Sequence, residues 1–371
     1  MTVGIVREAA VGERRVALIP AALGLLLKAG LEILVESGAG EGAFHTDAHY
    51  KEKGARIVAR DAAWGADIVT VVNPPREKEM ALLKSGSVLI GFLKPLDAPE
   101  IAVRLADRGV TALAMELVPR ISRAQKMDAL SAMASVAGYR AAIKGAELLP
   151  KFFPLLTTAA GTVRPANVLI LGAGVAGLQA IATARRLGAR VWGYDIRDTA
   201  RDEVRSLGAQ FVELDLEISD VEDAGGYAKA LKEEKVRRQT ELLVPHIARA
   251  DVVITTAQIP GKKAPLLITE GAVLAMRPGS VIIDLAGGNC ALTVPGKTVV
   301  KNGVQILGLL DLAATMPIHS SQLYARTVAA MIEAFMHNGR YTPDFDDAVF
   351  KGACVTHGGR VVHERLIARN V

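Results

Sequence analysis

The residues best suited to bind a ligand form a glycine-rich segment, Gly172-Ala-Gly174-Val-Ala-Gly177, near the middle of the chain. The segment follows an apolar run at 167–171 and precedes an amphipathic helical pattern, which is the context that makes a GxGxxG motif informative. Gly172 would permit a tight turn, Gly174 the close approach of a pyrophosphate, and Gly177 close packing of helix on strand. A glycine-rich turn that binds nothing is the other interpretation. The motif predicts a dinucleotide site whose contacts are Gly172, Gly174, Val175, Ala176 and Gly177.

A carboxylate ends the next predicted strand, at Asp195. A carboxylate in this place can accept hydrogen bonds from both ribose hydroxyls of an adenosine, and its charge would repel a 2′-phosphate. Arg197 lies two residues further on, and a guanidinium there is the feature that would favour NADP instead. We predict NAD, with Asp195, Ile196 and Arg197 in the contact set.

Small and polar residues follow two later predicted strands, in the segments 255–258 and 284–289. Ligands in open α/β sheets lie outside the carboxyl ends of the strands, so both segments are predicted to line the cofactor. Small residues at these places are also simple turn formers. The contacts predicted here are Thr256, Ala257 and Gln258.

The composition excludes several other kinds of site. The formal net charge is +5, but the basic residues are scattered singly or in pairs and only 4% of residues are aromatic, so no nucleic acid partner is predicted. Cys290 and Cys354 lack metal-ligand spacing, and two cysteines so far apart in sequence do not form a disulfide framework. No apolar run approaches the roughly 20 residues needed to span a bilayer, so no direct membrane insertion is predicted.

Two series of alternating strand and helix patterns must position these residues. The first has β-rich runs at 3–6, 32–35, 68–72, 88–92 and 110–114, and the second at 167–171, 190–194, 210–212, 252–255, 280–285 and 305–307. Alternation of this kind favours parallel sheets covered by helices on both faces. A long Ala-rich helix at 127–149 would link the two series, and a helix at 320–336 would pack back on the first.

These patterns predict an α/β fold of two Rossmann-like, doubly wound parallel-sheet domains joined by long helices. The second domain, 131–319, would be inserted in the first, which comprises 1–130 and 320–371. A polar stretch at 219–241 interrupts the second series and contains Tyr227. It is either a solvated surface excursion or a flap whose Tyr227 closes over bound nucleotide.

Over essentially its full length the chain resembles the alanine dehydrogenase/transhydrogenase superfamily, beginning with the block GIVREAAVGERRVALIP at 4–20. The resemblance implies that alanine dehydrogenases process their substrate with an Arg, a Lys and a His. Arg15 matches the first, whereas the segments expected to carry the other two read VVNPP at 71–75 and FLK at 92–94. An enzyme acting on an amino acid needs a proton donor and acceptor at the substrate carbon, so this branch fits poorly.

The segment PRISRAQKMDALS at 119–131 resembles a loop of the transhydrogenase branch. That resemblance implies that Arg120, Asp128 and Ser131 hold the nicotinamide carboxamide, and that Gln125 lies where two nicotinamides meet. From the residues alone, the preferred interpretation is that Asp128 is an N-cap of the long helix and Arg120 a structural ion-pair partner.

The resemblance implies an NAD(H)-binding component of a proton-translocating transhydrogenase, a homodimer that works with NADP(H)-binding and transmembrane subunits. It would lie peripherally on the cytoplasmic face of the inner membrane. Hydride transfer between two nicotinamides needs orientation and exclusion of water but no acid or base, so the missing Lys and His are consistent with it. An alanine dehydrogenase and a non-catalytic NAD sensor are the alternatives.

Overall fold

The computed structural model describes residues 1–216, 233–259, 261–308, 311–337 and 339–368. The chain divides into two compact units, one of Met1–Met133 with Ala314–Val371 and the other of Ala134–Ala313. The sequence predicted boundaries after residues 130 and 319. Tyr227 lies outside the described residues.

Strands and helices alternate from the start of unit 1, as the hydrophobic patterns predict. The strand at Arg56–Val58 was not predicted. The strands are β1 (Thr2–Ile5), β2 (Glu32–Glu36), β3 (Arg56–Val58), β4 (Ile68–Thr70), β5 (Val88–Gly91) and β6 (Thr111–Ala114). The helices are α1 (Leu23–Lys28), α2 (Asp47–Glu52), α3 (Arg60–Trp64), α4 (Glu77–Met80) and α5 (Glu100–Asp107).

The long helix α6 (Ala129–Leu148) begins in unit 1 and continues into unit 2. Unit 2 then contains the hairpin β7 (Leu156–Thr158) and β8 (Gly161–Val163), followed by the strands β9 (Asn167–Leu171), β10 (Arg190–Tyr194), β11 (Gln210–Phe211), β12 (Val252–Thr255), β13 (Val281–Asp284), β14 (Thr298–Lys301) and β15 (Val304–Gly308). Its other helices are α7 (Val175–Arg186), α8 (Ala200–Ser206), α9 (Glu233–Arg249) and α10 (Glu270–Leu274).

The end of the chain returns to unit 1. It contributes α11 (Pro317–Ala334), the hairpin β16 (Met336–His337) and β17 (Arg340–Tyr341), α12 (Ala348–Ala353), β18 (Cys354–His357), β19 (Arg360–Val361) and α13 (Glu364–Ile367). The sequence predicted only a helix in this region. β18 instead extends the sheet of unit 1 by pairing antiparallel with β6, with a register shift between Cys354 and Thr356.

Both sheets have the strand order of doubly wound folds. The order is β19-β18-β6-β5-β4-β1-β2-β3 in unit 1 and β11-β10-β9-β12-β13-β15-β14 in unit 2. In unit 2 the odd and even residues of β9 face different hydrophobic clusters: Val168 and Ile170 belong to one, Leu169 and Leu171 to the other. Helices therefore cover both faces of the sheet, which explains why this strand is apolar throughout. The order reverses beside β9, and ligands of such sheets bind at that point.

Candidate functional site

The glycine turn follows β9 and is held between the ends of two neighbouring strands. Gly172 has φ +99°, a left-handed conformation that glycine adopts without strain. Its N–H donates to the carbonyl of Tyr194 at 2.8 Å, and its carbonyl accepts from the Thr256 hydroxyl at 2.9 Å. A Cβ on Gly172 would lie 2.7 Å from the Thr256 oxygen, so the turn leaves no room for a side chain.

The other two glycines of the motif have opposite surroundings. A Cβ at Gly177 would lie 1.8 Å from the carbonyl oxygen of Gly172, which shows how closely the first turn of α7 packs on the strand end. A Cβ at Gly174 would meet nothing within 4 Å. Gly174 is the N-cap of α7 and no side chain caps the helix there. Uncapped N–H groups beside open space fit a phosphate group.

A fourth glycine, Gly138 in α6, belongs to this arrangement and was not predicted. A Cβ there would lie 2.0 Å from the carbonyl oxygen of Ala176, so α6 passes directly against the first turn of α7. The only signal in the sequence was a glycine inside an Ala-rich helix, where it costs helix stability and so indicates a packing or functional reason.

Asp195 lies beside the glycine turn, at the end of β10, and its carboxylate is already engaged. One oxygen accepts from the backbone N–H of Ala173 at 2.7 Å. The other accepts from the backbone N–H of Arg197 at 3.0 Å and from its Nε at 2.9 Å, and the guanidinium also reaches the first oxygen at 3.1 Å. The positive charge of Arg197, the feature that would favour NADP, is thus neutralised by Asp195.

The segment after β12 is positioned by the amide of Asn289, which the sequence predicted only as part of a segment that lines the cofactor. Asn289 is fully buried and pairs with both backbone groups of Ala257, accepting from its N–H at 3.1 Å and donating to its carbonyl at 2.9 Å. The same amide donates to the carbonyl of Pro265 at 2.7 Å. Next to Ala257, Gln258 is exposed and donates to the carbonyl of Leu285 at 3.4 Å. Asn289 therefore fixes the backbone of this segment.

Asp284, at the end of β13, organises the loop that carries Asn289. Its fully buried carboxylate accepts hydrogen bonds from the hydroxyls of Thr255 and Thr293 and from the backbone N–H groups of Ala286, Gly287 and Cys290. These contacts give Asp284 a structural role. In the segment 284–289, which was predicted to line the cofactor, the side chains of Asp284 and Asn289 are buried and bind other parts of unit 2.

The residues expected to hold a carboxamide lie in unit 1. Asp128 accepts from the backbone N–H of Ser131 at 2.8 Å and so caps α6, which is the local interpretation that the sequence left open. Gln125 is exposed on a 3-10 helix at Ser122–Met127, and Arg120 is exposed just before it. An ion pair between Arg123 and the buried Asp347, the N-cap of α12, anchors this loop within unit 1.

Arg15 matches the arginine that the resemblance assigns to substrate binding in alanine dehydrogenases. In this chain neighbouring side chains shield it from solvent. Only 4% of it is exposed, and Glu13 binds its guanidinium at two points, 2.8 Å to Nε and 2.5 Å to a terminal nitrogen. Asn73 donates to the same Glu13 at 2.8 Å. Burial opposes ionisation of Glu13, but the hydrogen bonds and charge of Arg15 outweigh it and lower the pKa of Glu13. Arg15 is thus paired with an internal carboxylate.

A carboxyl group elsewhere in unit 1, that of Glu116, binds the loop after β5. It accepts from the backbone N–H groups of Leu93, at 3.0 Å, and of Lys94, which has φ +52°. Burial raises the pKa of Glu116 to about 7. Because this folded-state pKa lies above the ordinary value of 4.5, the group favours the folded state most below pH 4.5, and this contribution is lost as the pH rises through 7.

We therefore expect Glu116→Gln to flatten the pH dependence of stability. The amide keeps the acceptor oxygen for Leu93 and Lys94 but carries no charge to desolvate, so the variant should gain stability relative to the wild type between pH 5 and pH 8. The gain should be on the order of 1–3 kcal/mol, since one pKa unit corresponds to about 1.4 kcal/mol. Urea unfolding at both pH values measures it. The exposed Glu77→Gln is the control, and equal pH slopes in both variants would contradict the assignment.

The described residues offer no candidate metal site: nowhere among them do three His, Cys, Asp or Glu side chains come together as ligands. No helix within the described ranges is both long and apolar enough to cross a bilayer.

Comparison with known proteins identifies the family of the chain. Residues 4–137 match the N-terminal domain, and residues 141–364 the C-terminal domain, of the family described as alanine dehydrogenase/PNT. The chain is 45% identical to a NAD(P) transhydrogenase subunit alpha polypeptide of Rhodospirillum rubrum, over 99% of both chains. It resembles the crystal structure of a transhydrogenase from Sinorhizobium meliloti with a TM-score of 0.86 and 38% identity, over 98% of this chain and 100% of that one. The alanine dehydrogenase of Bacillus subtilis is more distant, 31% identical over 100% of this chain and 95% of that protein.

Proposed function

The chain belongs to the alanine dehydrogenase/PNT family, and from that premise we propose that it is the NAD(H)-binding subunit of a proton-translocating transhydrogenase. The observation that carries the proposal is the pairing of Arg15 with Glu13, whose carboxylate also accepts from Asn73, considered together with the full-length similarity to a transhydrogenase subunit. A buried guanidinium already bound at two points is not available to a substrate carboxylate. Removing it from Glu13 would leave an uncompensated buried charge, which is costly.

The surroundings of the glycine turn support NAD(H) as the bound nucleotide. The open space at Gly174 and the uncapped start of α7 suit the pyrophosphate, and the Asp195 carboxylate suits the ribose hydroxyls. A 2′-phosphate would need a basic partner, whereas Arg197 is bound by Asp195 at two points. Each oxygen of Asp195 already accepts two hydrogen bonds, so the ribose hydroxyls would have to replace part of the contact between Asp195 and Arg197.

The proposed reaction is direct hydride transfer to or from NADP(H) held on a partner subunit. The nicotinamide supplies the hydride chemistry, and this chain orients it and excludes water. Arg120, Asp128 and Ser131 are proposed to hold the carboxamide, and Gln125 to lie next to the partner's nicotinamide. Asp128 can do so while capping α6, because the cap uses one of its two carboxylate oxygens. Tyr227 is proposed to close over the nucleotide.

We propose that the chain forms a homodimer and works with NADP(H)-binding and transmembrane subunits, through which it is held at the cytoplasmic face of the inner membrane. The coupling to proton movement would then take place outside this chain. Its own task would be to bind NAD(H) and present it to the partner.

We expect the purified chain to bind NADH without oxidising it when pyruvate and ammonium are added. The fluorescence of NADH reports binding, and its absorbance reports turnover. Addition of the NADP(H)-binding and transmembrane subunits should then give NADH-dependent reduction of NADP+, measured by the transfer of tritium from labelled NADH into NADPH.

Each of the other outcomes would support one of the alternative functions. Consumption of NADH with pyruvate and ammonium would make the chain an alanine dehydrogenase, with Arg15 released from Glu13. Binding of NADH without transfer in the presence of the partner subunits would indicate an NAD sensor. Arg120→Gln serves as the internal check, since it should reduce transfer far more than the binding of NADH.

A further inference from the structure

A cavity in unit 2 lies toward the amino-terminal ends of the strands, whereas the glycine turn lies at a carboxyl end. It has a volume of about 490 Å³, within the range of small-molecule sites, and it is lined by the amino-terminal residues of three strands: Asn167 of β9, Arg190 of β10 and Gln210 of β11. The glycine turn follows the carboxyl end of β9, about 16 Å from Asn167 for a strand of this length, and none of the residues that line the cavity belongs to the turn. The cavity is therefore separate from the dinucleotide site.

The cavity is positively charged. Arg190, Arg249 and Arg277 line it together with His246, and Glu213 is the carboxylate among the lining residues. Glu213 already pairs with Arg205 at 3.0 Å. Arg277 lies 4.0 Å from Asp251, whereas no carboxylate among the residues that the structure describes forms an ion pair with Arg190 or Arg249. Burial and the charge of Arg249 both lower the pKa of His246, as expected where cations crowd together.

One wall of the cavity is an indole. The side chain of Trp192 is partly exposed to the cavity, and its Nε1 donates to the Gln210 side chain at 2.8 Å. This hydrogen bond fixes the plane of the ring, which packs in part on a hydrophobic cluster of unit 2 and in part lines the cavity. An indole face held in this way is a stacking surface for a nucleobase, a contact that tolerates any base because each has a π-face.

An adjoining cavity adds a further guanidinium. It has a volume of about 410 Å³, shares Arg190, Trp192 and Gln210 with the first, and is also lined by Arg185 and Gly208. Gly208 has φ +77°, and a Cβ there would lie 2.8 Å from a terminal nitrogen of Arg185. The absence of a side chain at Gly208 therefore leaves room for Arg185 over this turn. Arg185 and Arg190 line the same cavity, and guanidinium groups form strong, charge-assisted hydrogen bonds with phosphate.

We propose that these adjoining cavities form a second ligand site, which binds a nucleoside phosphate with its base on Trp192 and its phosphate on Arg185 and Arg190. The site goes beyond the proposed function, since it does not contact the glycine turn. The position of Arg185 and Arg249 in the last turns of α7 and α9 accounts for their charge, because cations are favoured there. Their position at the helix ends does not explain why two adjoining cavities are both lined by Trp192, whose ring is held by a hydrogen bond.

The pair Arg185 and Arg186 provides a matched test. Both are exposed and lie side by side near the end of α7, but only Arg185 lines the cavity. The full chain is first saturated with NADH to occupy the glycine turn, and AMP is then titrated in by calorimetry. We expect one AMP per chain, about tenfold weaker binding in Arg185→Gln as a charge-assisted contact is lost, and binding within twofold of wild type in Arg186→Gln.

Two further titrations separate the components of the ligand. Adenosine and inorganic phosphate should each bind more weakly than AMP, and Arg185→Gln should weaken phosphate but not adenosine. The proposal is overturned if AMP shows no binding into the millimolar range, if the two variants bind it equally, or if it binds only by displacing NADH. Since NADH binding is measured first, failure here is distinguishable from failure of the proposed function.

Discussion

Gly177→Ala is expected to abolish measurable NADH binding and to lower the free energy of unfolding by about 3 kcal/mol. The added methyl group would lie 1.8 Å from the carbonyl oxygen of Gly172, a distance that no real Cβ contact shows. Because that oxygen belongs to a tight turn and accepts a hydrogen bond from Thr256, it cannot move aside alone. The first turn of α7 must therefore shift away from the strand end and carry its N–H groups out of position for the phosphates.

Gly174→Ala is the matched control, since it adds the same methyl group three residues earlier. Gly174 has an extended backbone that alanine also adopts, with φ −76° and ψ −169°, and no atom lies within 4 Å of the added carbon. We expect its stability to stay within about 0.5 kcal/mol of wild type. Its affinity for NADH should nevertheless fall about tenfold, as the methyl group projects into the space proposed for the pyrophosphate.

Urea unfolding and NADH fluorescence titration of the two variants separate folding from binding. The proposal requires one variant that loses both properties and one that loses affinity alone. If Gly177→Ala were as stable as the wild type, the close contact between helix and strand would be wrong. If Gly174→Ala bound NADH normally, the phosphates would have to lie elsewhere.

The turn could be predicted from the sequence because the signals that define it are local. Gly172 and Gly177 lie five residues apart, and the strand before them and the helix after them follow hydrophobic periods that one window contains. The strand order of the sheet then follows from general rules of α/β folds, so the two doubly wound sheets were also correctly predicted.

Contacts between residues that lie far apart in sequence could not be predicted in this way. Asn73 reaches Glu13 across 60 residues of sequence, and Asn289 reaches Ala257 across 32. A buried asparagine has no period and no motif, and its importance lies in the two backbone groups that it happens to face. The missing lysine and histidine were visible from sequence, but the closure of Arg15 by Glu13 required the structure.

The tail was difficult to predict for a related reason. β18 is a short strand, and it is stabilised by pairing with β6, which lies more than 240 residues earlier. Residues 354–357 read Cys-Val-Thr-His, and four residues are too few to show the alternation of apolar and polar side chains that marks a strand. What makes them a strand is the unpaired edge of an existing sheet, a property of the folded unit.

Asn289→Ala is expected to be nearly as damaging to NADH binding as Gly177→Ala, although Asn289 is turned away from the space at Gly174. Truncation removes three hydrogen bonds from a fully buried amide and leaves the N–H and carbonyl of Ala257 and the carbonyl of Pro265 without their partner. Each such group costs about 1 kcal/mol or more, so the free energy of unfolding should fall by about 3 kcal/mol. The segment 256–258, including the Thr256 contact to the glycine turn, would lose its fixed position, and affinity for NADH should fall at least tenfold.

The matched comparison is Gln258→Ala, which truncates an exposed amide in the segment that Asn289 fixes. Its single hydrogen bond, 3.4 Å to the Leu285 carbonyl, is long and solvated, so stability should change by less than about 0.5 kcal/mol. Asn289→Asp provides a second test, because it keeps the acceptor for the Ala257 N–H while losing both donors to carbonyls, and it should be destabilised as well. Thermal unfolding with and without NADH measures both the stability of each variant and the stabilisation by NADH. If Asn289→Ala retained the stability and NADH-induced shift of the wild type, Ala257 would be held by the strand end alone, and the positioning role of Asn289 would have to be abandoned.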